Sequence, residues 1–372
     1  MRRQVKTSGP ASLDWQVTTA PEALEVMQRE WGDLWRRAQQ PYFSQSFDWC
    51  KLAWDSLAQA RGRKLLLVSY RHAGRLDFIW PLVTYELKGF RLIRPLGPEG
   101  SEYALPLCNP GIDVERVSNQ VIEAIRRDRN VDIIRLPFLL KSQAINQNLL
   151  ERRFRFDETL TASSVDWASV QDWSSYFRNR VSSKHRKNHE RLRRLLATGG
   201  RLQFRLIDDI AERQEKFDWL MQTKLAWMKT TGHSNAWLIQ AGYRDFLRHL
   251  LSCDTHMGRL AIVDLELDGK IVSGLLVALT GSRMEVLITA FDPAFAKYSP
   301  GQLLWEDALR FAYERKLEFD LRIGDDPYKK AWCNQYGEVV CSDIAVSLRG
   351  ALFVLARKAQ ATLRGLRPQN RR

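Results

Sequence analysis

At 372 residues, with 45% hydrophobic and 27% charged residues, the chain is long enough for two domains with cores of their own and has the composition of a soluble globular protein. No apolar run approaches a membrane span, and five scattered cysteines without a C-x-x-C pair argue against a zinc ribbon or a disulfide framework. The net charge of +14 is local: residues 178–205 hold ten Lys/Arg and one acid, residues 349–372 hold seven and none, and the remainder is close to neutral, which argues against a uniformly basic nucleic-acid coat.

In chain order, the basic start MRRQVKTSGPASLDW lacks an apolar core, so no signal peptide is expected and a cytoplasmic setting follows. Residues 13–18 alternate weakly as a strand. Residues 21–37 read as one amphipathic helix and 45–57 as a second. Residues 64–70 and 76–85 form a hairpin about His72-Ala73-Gly74, with 91–96 pairing next. Residues 97–110, rich in Gly and Pro, are a loop; 114–127 a helix, 131–136 a strand and 142–150 a short helix. Residues 164–172 mark a boundary, dividing the chain into 1–165, 166–350 and a basic helix and tail, 351–372. Beyond it come helices at 170–178, 183–197, 209–229 and 236–251, with a strand at 201–207. Three antiparallel strands follow, 259–267, 270–279 and 283–291, turned at Asp268-Gly269 and Gly281-Ser282. A late strand, 339–348, precedes the tail. The fold class is α/β (α+β).

The most informative stretch is 283–332. Its first strand ends at Phe291 and turns at Asp292-Pro293. Ser299-Pro300-Gly301-Gln302 then opens a helix, with Ser299 as N-cap, Pro300 at the first position and Gln302 completing a capping box. A strand at 317–321 closes a crossover that makes the two strands parallel, with a ligand crevice at their carboxyl ends. The amides of Gly301, Gln302 and Leu303, at the positive end of the helix dipole, suit a phosphate; a well-capped helix and nothing more is the alternative.

The pattern A-F-D-P…Y-S-P-G-Q-L-L…E-F-D-L-R-I-G-D-D-P-Y-K-K-A-W resembles the CelD-like branch of the GNAT acyltransferase superfamily, which is similar to the FemABX peptidyltransferases. The basic segment 182–200 and Phe43–Trp54 fit in the same order, so the resemblance spans most of the chain. It implies two tandem GNAT-like domains, each a mixed, mostly antiparallel sheet flanked by helices, with the cofactor site in the second alone. It implies acetyl-CoA or another acyl-CoA as co-substrate, no metal, and an amine or hydroxyl acceptor on a sugar or cell-envelope precursor. The pantetheine arm would lie between the strands at 283–291 and 317–321, with backbone N–H groups near Ala290 and Phe291 meeting the thioester oxygen.

Such a reaction asks the protein for an oxyanion partner, a proton donor to the leaving thiolate and a base. On the resemblance, Lys329 stabilises negative charge and Tyr328 supplies the proton; otherwise Tyr328 packs on Trp332, Lys329 is solvated, and Lys330 is the participant. Asp320, in a strand expected to be buried, is either the base or a brace for the Gly324 turn paired with Arg322. Asp292 is a turn residue that stays among the catalytic candidates. Lys184 and Lys187, in the basic helix, lie either on a solvated face or against an anionic partner: an acidic polysaccharide, a nucleotide-sugar, an anionic membrane at which the protein would be peripheral, or RNA. Trp227 either lines an acceptor cleft or sits in the core. His185 and His189 lack a zincin's glutamate and lie among cations, which disfavours a metal. In the tail, Leu352, Leu355, Ala359, Leu363 and Leu366 share a stripe that either docks on the body or lies on an anionic membrane. Two rivals remain: an aminoacyl-tRNA-dependent ligase of the FemABX kind, the one case in which nucleic acid is a partner, and a non-catalytic protein of polysaccharide assembly.

Overall fold

A computed structural model describes residues 14–98, 103, 105–127, 131–142, 155–232, 237–324 and 326–365. The chain forms two compact units, Met1–Leu160 with Gly337–Arg372, and Thr161–Tyr336. The C-terminal strand and helix belong to the first unit.

In the first unit, β1 (Asp14–Thr18) precedes α1 (Glu22–Val26), α2 (Gln28–Arg37) and α3 (Phe47–Ala53). The single helix expected at 21–37 is thus two, and the one at 45–57 widens after Ala53 into a π-turn, Trp54–Ala58. Strands β2 (Lys64–His72), β3 (Arg75–Leu87) and β4 (Phe90–Pro95) form the meander, and a short β5 (Leu107–Cys108) lies where an unbroken loop was expected. Helix α4 (Val114–Arg127) leads to β6 (Ile133–Leu140), and β7 (Arg155–Val165) carries the chain into the second unit. The short helix expected at 142–150 lies almost wholly outside the described residues. The chain returns through β13 (Gln335–Ala345) to α11 (Leu348–Gly365). The sheet order is β1-β2-β3-β4-β6-β13, antiparallel except for β4 with β6, and β5 flanks β3.

In the second unit, α5 (Trp173–Arg180) and α6 (Ser183–Ala197) start at side-chain caps, Asp172 accepting from the Ser175 amide and Ser182 from that of His185. Then come β8 (Leu202–Ile207), α7 (Ile210–Thr231), capped by Asp209, and α8 (Tyr243–Leu250). The last is shorter than expected because Gly242 takes φ 80° and breaks the turn before it. The meander β9 (Arg259–Leu267), β10 (Lys270–Leu279) and β11 (Arg283–Phe291) has the expected ends. Helix α9 (Pro300–Glu314), β12 (Glu318–Ile323) and α10 (Pro327–Trp332) complete the crossover. The sheet order is β7-β12-β11-β10-β9-β8, with β11 and β12 the parallel pair. Val263, Leu265, Leu275 and Val277 of the sheet pack with Leu304, Ala308 and Phe311 of α9 in one core, while Leu220 of α7 approaches β10 at Gly274 on the sheet. Each unit is a mixed, mostly antiparallel sheet flanked by helices, as expected. No disulfide joins any of the five cysteines.

Candidate active site

The site is built around a fork. Strands β11 and β12 pair over three rungs, Arg283–Glu318, Met284–Phe319 and Glu285–Asp320, and no rung follows. Strand β11 continues beside β10 as far as Phe291 opposite Ser273, with a bulge between Val286 and Ile288 just past the last rung. On the β12 arm, the Asp320 carboxylate accepts the Arg322 amide at 2.6 Å. That closed turn sets Arg322 at φ 60°, breaks the register with β7 between Asp320 and Ile323, and leads to Gly324 at φ 131°.

Buried charges line the fork. Arg283, Glu285, Asp320 and Arg322 are all buried, and Arg283 Nη2 meets Glu318 Oε2 at 2.8 Å. Burial pushes the Asp320 carboxyl up to about 7; Arg283 and Arg322 oppose the shift, and the Glu285 charge adds to it. Asp320 thus braces the turn and also keeps a proton affinity suited to a base near neutrality. Arg283 and Glu285 were missed in the sequence. Their only signal was two charges alternating at the head of an apolar strand.

Lys329 closes the far side. It lies in α10 yet is buried, not solvated, and its Nζ donates to the Ile323 carbonyl at 2.6 Å. A Cβ on Gly324 would come 3.0 Å from that Nζ, so the glycine makes room for the ammonium. Lys330 is exposed, with its carbonyl taken by Arg180 at 2.9 Å. Trp332 is fully buried, its ring stacked on Phe177 at 5.9 Å between centroids. The backbone of Tyr328 lies in α10, and its side chain lies outside the described residues.

The start of α9 differs from expectation. Ser299 is the N-cap residue, but at φ 50° its hydroxyl caps nothing and no capping box forms. Its carbonyl accepts the amides of Gln302, at 2.9 Å, and Leu303, at 3.3 Å. The expected three-amide cradle is therefore reduced to Gly301: the fourth amide of any helix start is already an intrahelical donor, and the left-handed serine also captures the third. Gly301 is half-buried, and a Cβ there would meet only the Phe291 ring, at 3.8 Å. Leu303 is a core residue, and Phe291 is exposed at the strand end. Asp292 accepts the Ala294 amide at 2.9 Å and pairs with Lys270 at 3.0 Å, and this holds its carboxyl below the usual range against the opposing effect of burial. That is a loop-holding role and not the setting of a base.

The basic helix α6 is two-sided. Arg193 pairs with Asp307 through two contacts of 2.9 Å, and His189 Nδ1 meets Glu306 at 3.1 Å, which ties α6 to α9. Lys184, Lys187, Arg191 and Arg194 are exposed along the other side. On α7, Trp227 is half-buried, with Lys224 Nζ over its ring at 4.2 Å. Burial lowers the Lys224 pKa, and the Asp326 charge opposes that shift. Asp326 lies 4.0 Å from Lys329 Nζ, so Trp227, Lys224, Asp326 and Lys329 form one chain of neighbours.

An extended acyl carrier fits this geometry in part: the fork offers a slot between strands, and the α9 start offers the Gly301 amide beside Phe291. Residues 183–330 match a family model described as an acetyltransferase (GNAT) domain. No curated protein matches the chain. Among solved structures, the chain is similar to the C-terminal domain of a putative lysylphosphatidylglycerol synthetase from Agrobacterium fabrum, at 12% identity and TM-score 0.55, covering 90% of this chain and 95% of that one. It is similar to FemX at 11% identity and TM-score 0.57, covering 84% and 95%. A conserved protein of unknown function from Bacteroides thetaiotaomicron aligns at 12% identity and TM-score 0.52, covering 85% and 97%. At such identities the likeness is one of fold. The match to an acetyltransferase (GNAT) domain thus covers residues 183–330, within the second unit.

Proposed function

We propose that the chain transfers an acyl group, most simply acetyl, from an acyl-CoA to an amine or hydroxyl of a sugar or of an exopolysaccharide or cell-envelope precursor in the cytoplasm, the acceptor class of the CelD-like branch. The observation that carries the reading is the fork between β11 and β12, with a buried Lys329 at one side and the Gly301 turn at the other. Bound there, an acyl-CoA supplies the activated thioester.

The chain's own residues do the rest. The fork holds the acyl carrier in extended form, with Phe291 and the Gly301 amide at its mouth. Ser299 sets the turn that presents that amide. Lys329, its ammonium fixed by the Ile323 carbonyl, offsets negative charge that develops beside it. Asp320 accepts a proton from the acceptor, directly or through water, and Tyr328 is the proton donor to the leaving group. Lys224 and Trp227 hold the acceptor by charge and by ring contact.

The test is calorimetric titration of the full chain with acetyl-CoA, dephospho-CoA and desulfo-CoA. Micromolar binding of acetyl-CoA that weakens in Gly301→Asp supports the reading. No binding of any of the three removes it. An aminoacyl-tRNA-dependent transfer is the second reading, favoured by the four exposed cations along α6. It predicts tRNA binding with a steep salt dependence that Lys184→Ala and Lys187→Ala make shallower.

A further inference from the structure

Helix α11 docks on the first unit by a face that does not carry Leu348, Leu352 and Leu355. Val354 is fully buried, and a Cβ on Gly350 would fall 1.9 Å from the Asp132 carbonyl oxygen. Phe353 meets Phe90 at 5.1 Å between ring centroids, and Arg357 pairs with Asp343. Leu348, Leu352 and Leu355, at i, i+4 and i+7, are 89%, 66% and 51% exposed. Three large side chains in one exposed row are more than isolated surface leucines. No acid follows Asp343 in the sequence, whereas seven Lys/Arg lie between Arg349 and Arg372.

A second feature adjoins this helix. A groove of about 1200 Å³ in the first unit is lined by Arg61, Arg63, Lys64 and Arg91 against one acid, Glu86, with Trp54 among its walls. Arg91 directly follows Phe90, the residue on which both the Phe353 ring and the Arg349 guanidinium rest. The groove and the helix are also joined through side chains: Arg63 stands over the Tyr85 ring of the groove wall, Tyr85 interacts with Arg135, and Arg135 and Arg357 of α11 share Asp343.

We propose that this face docks on an anionic phospholipid bilayer. The α11 leucines enter the boundary between headgroups and acyl chains, and the cations of the helix and groove meet lipid phosphates. A helix with an exposed apolar row, Lys/Arg and no acid of its own is the composition that such a surface selects. A second copy of the chain would set this basic face against itself. An anionic polymer would leave the leucines in water.

The experiment is flotation of the full chain with vesicles of phosphatidylcholine alone and with about one third phosphatidylglycerol. The expected result is roughly tenfold greater partitioning onto the anionic vesicles, falling as salt rises. Leu352→Glu with Leu355→Glu reduces it about tenfold with an unchanged melting temperature, because both side chains are exposed. Lys358→Glu and Lys64→Glu each reduce it several-fold. Equal partitioning onto both vesicles, none onto either, or an undiminished double variant overturns the proposal. So does a concentration-dependent dimer that the double variant abolishes, which would assign the row to a second copy. Binding of dextran sulfate that matches vesicle binding and survives the leucine changes would assign the face to a polymer and overturn it too.

Discussion

Glu285 and Asp320 face each other on the last rung of the parallel ladder, two buried carboxylates at the point where the strands part. Burial of Asp320 favours its protonated form, and the Glu285 charge beside it adds to that preference.

That pair gives a pH signature of unusual sign for an aspartate. The Asp320 carboxyl is pushed up to about 7 from 3.8, so the folded state binds the extra proton. Its stabilising contribution is complete below about 4 and is lost as pH rises toward 7, on the order of a few kcal/mol at most. Asp320→Asn should flatten the fall of melting temperature across that window. It should not remove the fall wholly, because Asp264, pushed up to about 6 by burial, contributes with the same sign. In turnover, the wild type should gain activity through a limb near 7, and the asparagine variant should lose both the limb and most of the rate. A variant that keeps the limb would confine Asp320 to bracing the turn.

For Lys329→Ala the expected result is a fall in kcat of about 100-fold or more with acyl-CoA affinity retained. Stability should drop by about 1–3 kcal/mol, because the Ile323 carbonyl loses its donor. Lys330→Ala is the control: the side chain is exposed, and kinetics should match wild type.

Gly324→Ala tests the same lysine from the other side. At φ 131°, with a Cβ 3.0 Å from Nζ, the substitution strains the turn and displaces the ammonium. A loss of about 1–3 kcal/mol in thermal or denaturant unfolding is expected, with a lowered kcat.

Gly301 should behave differently. An alanine there meets only the Phe291 ring at 3.8 Å, so Gly301→Ala should leave acyl-CoA affinity within a few-fold and raise stability by up to about 1 kcal/mol. Gly301→Asp should weaken binding by about tenfold or more by setting a carboxylate beside the remaining amide. Equal affinities for the two variants, measured by calorimetry, would place the anion elsewhere.

The acceptor side can be separated by kinetics. Trp227→Leu removes the ring under Lys224 and should raise the acceptor KM while leaving that of acyl-CoA unchanged.

Much of the second unit was legible in the sequence, and the reasons are local. Asp268 and Gly269, at φ 47° and 79°, form the left-handed hairpin turn that a D-G pair specifies, and this fixed the ends of β9 and β10. Strand β7 was missed because residues 155–165 carry few large apolar side chains to mark an alternating face. The left-handed Ser299 was also hidden: the S-P-G-Q signal gives the position of the helix start, and the conformation of the cap is set by the six-residue 3₁₀ turn before it. The fork itself is a long-range feature. Asp320 could be expected to be buried, whereas its rung with Glu285 exists only once β11 and β12 are aligned.

The return of the chain to its first unit has a consequence for how the molecule is made. Strand β13 pairs along β6 from Val339–Leu140 to Ala345–Ile133, so one side of β6 stays open until the C-terminal residues have left the ribosome. The 161–336 segment is contiguous and can condense early, whereas the N-terminal half must wait with an apolar strand unpaired. A chain stopped before Gly337 should therefore yield an ordered second half joined to an aggregation-prone first half.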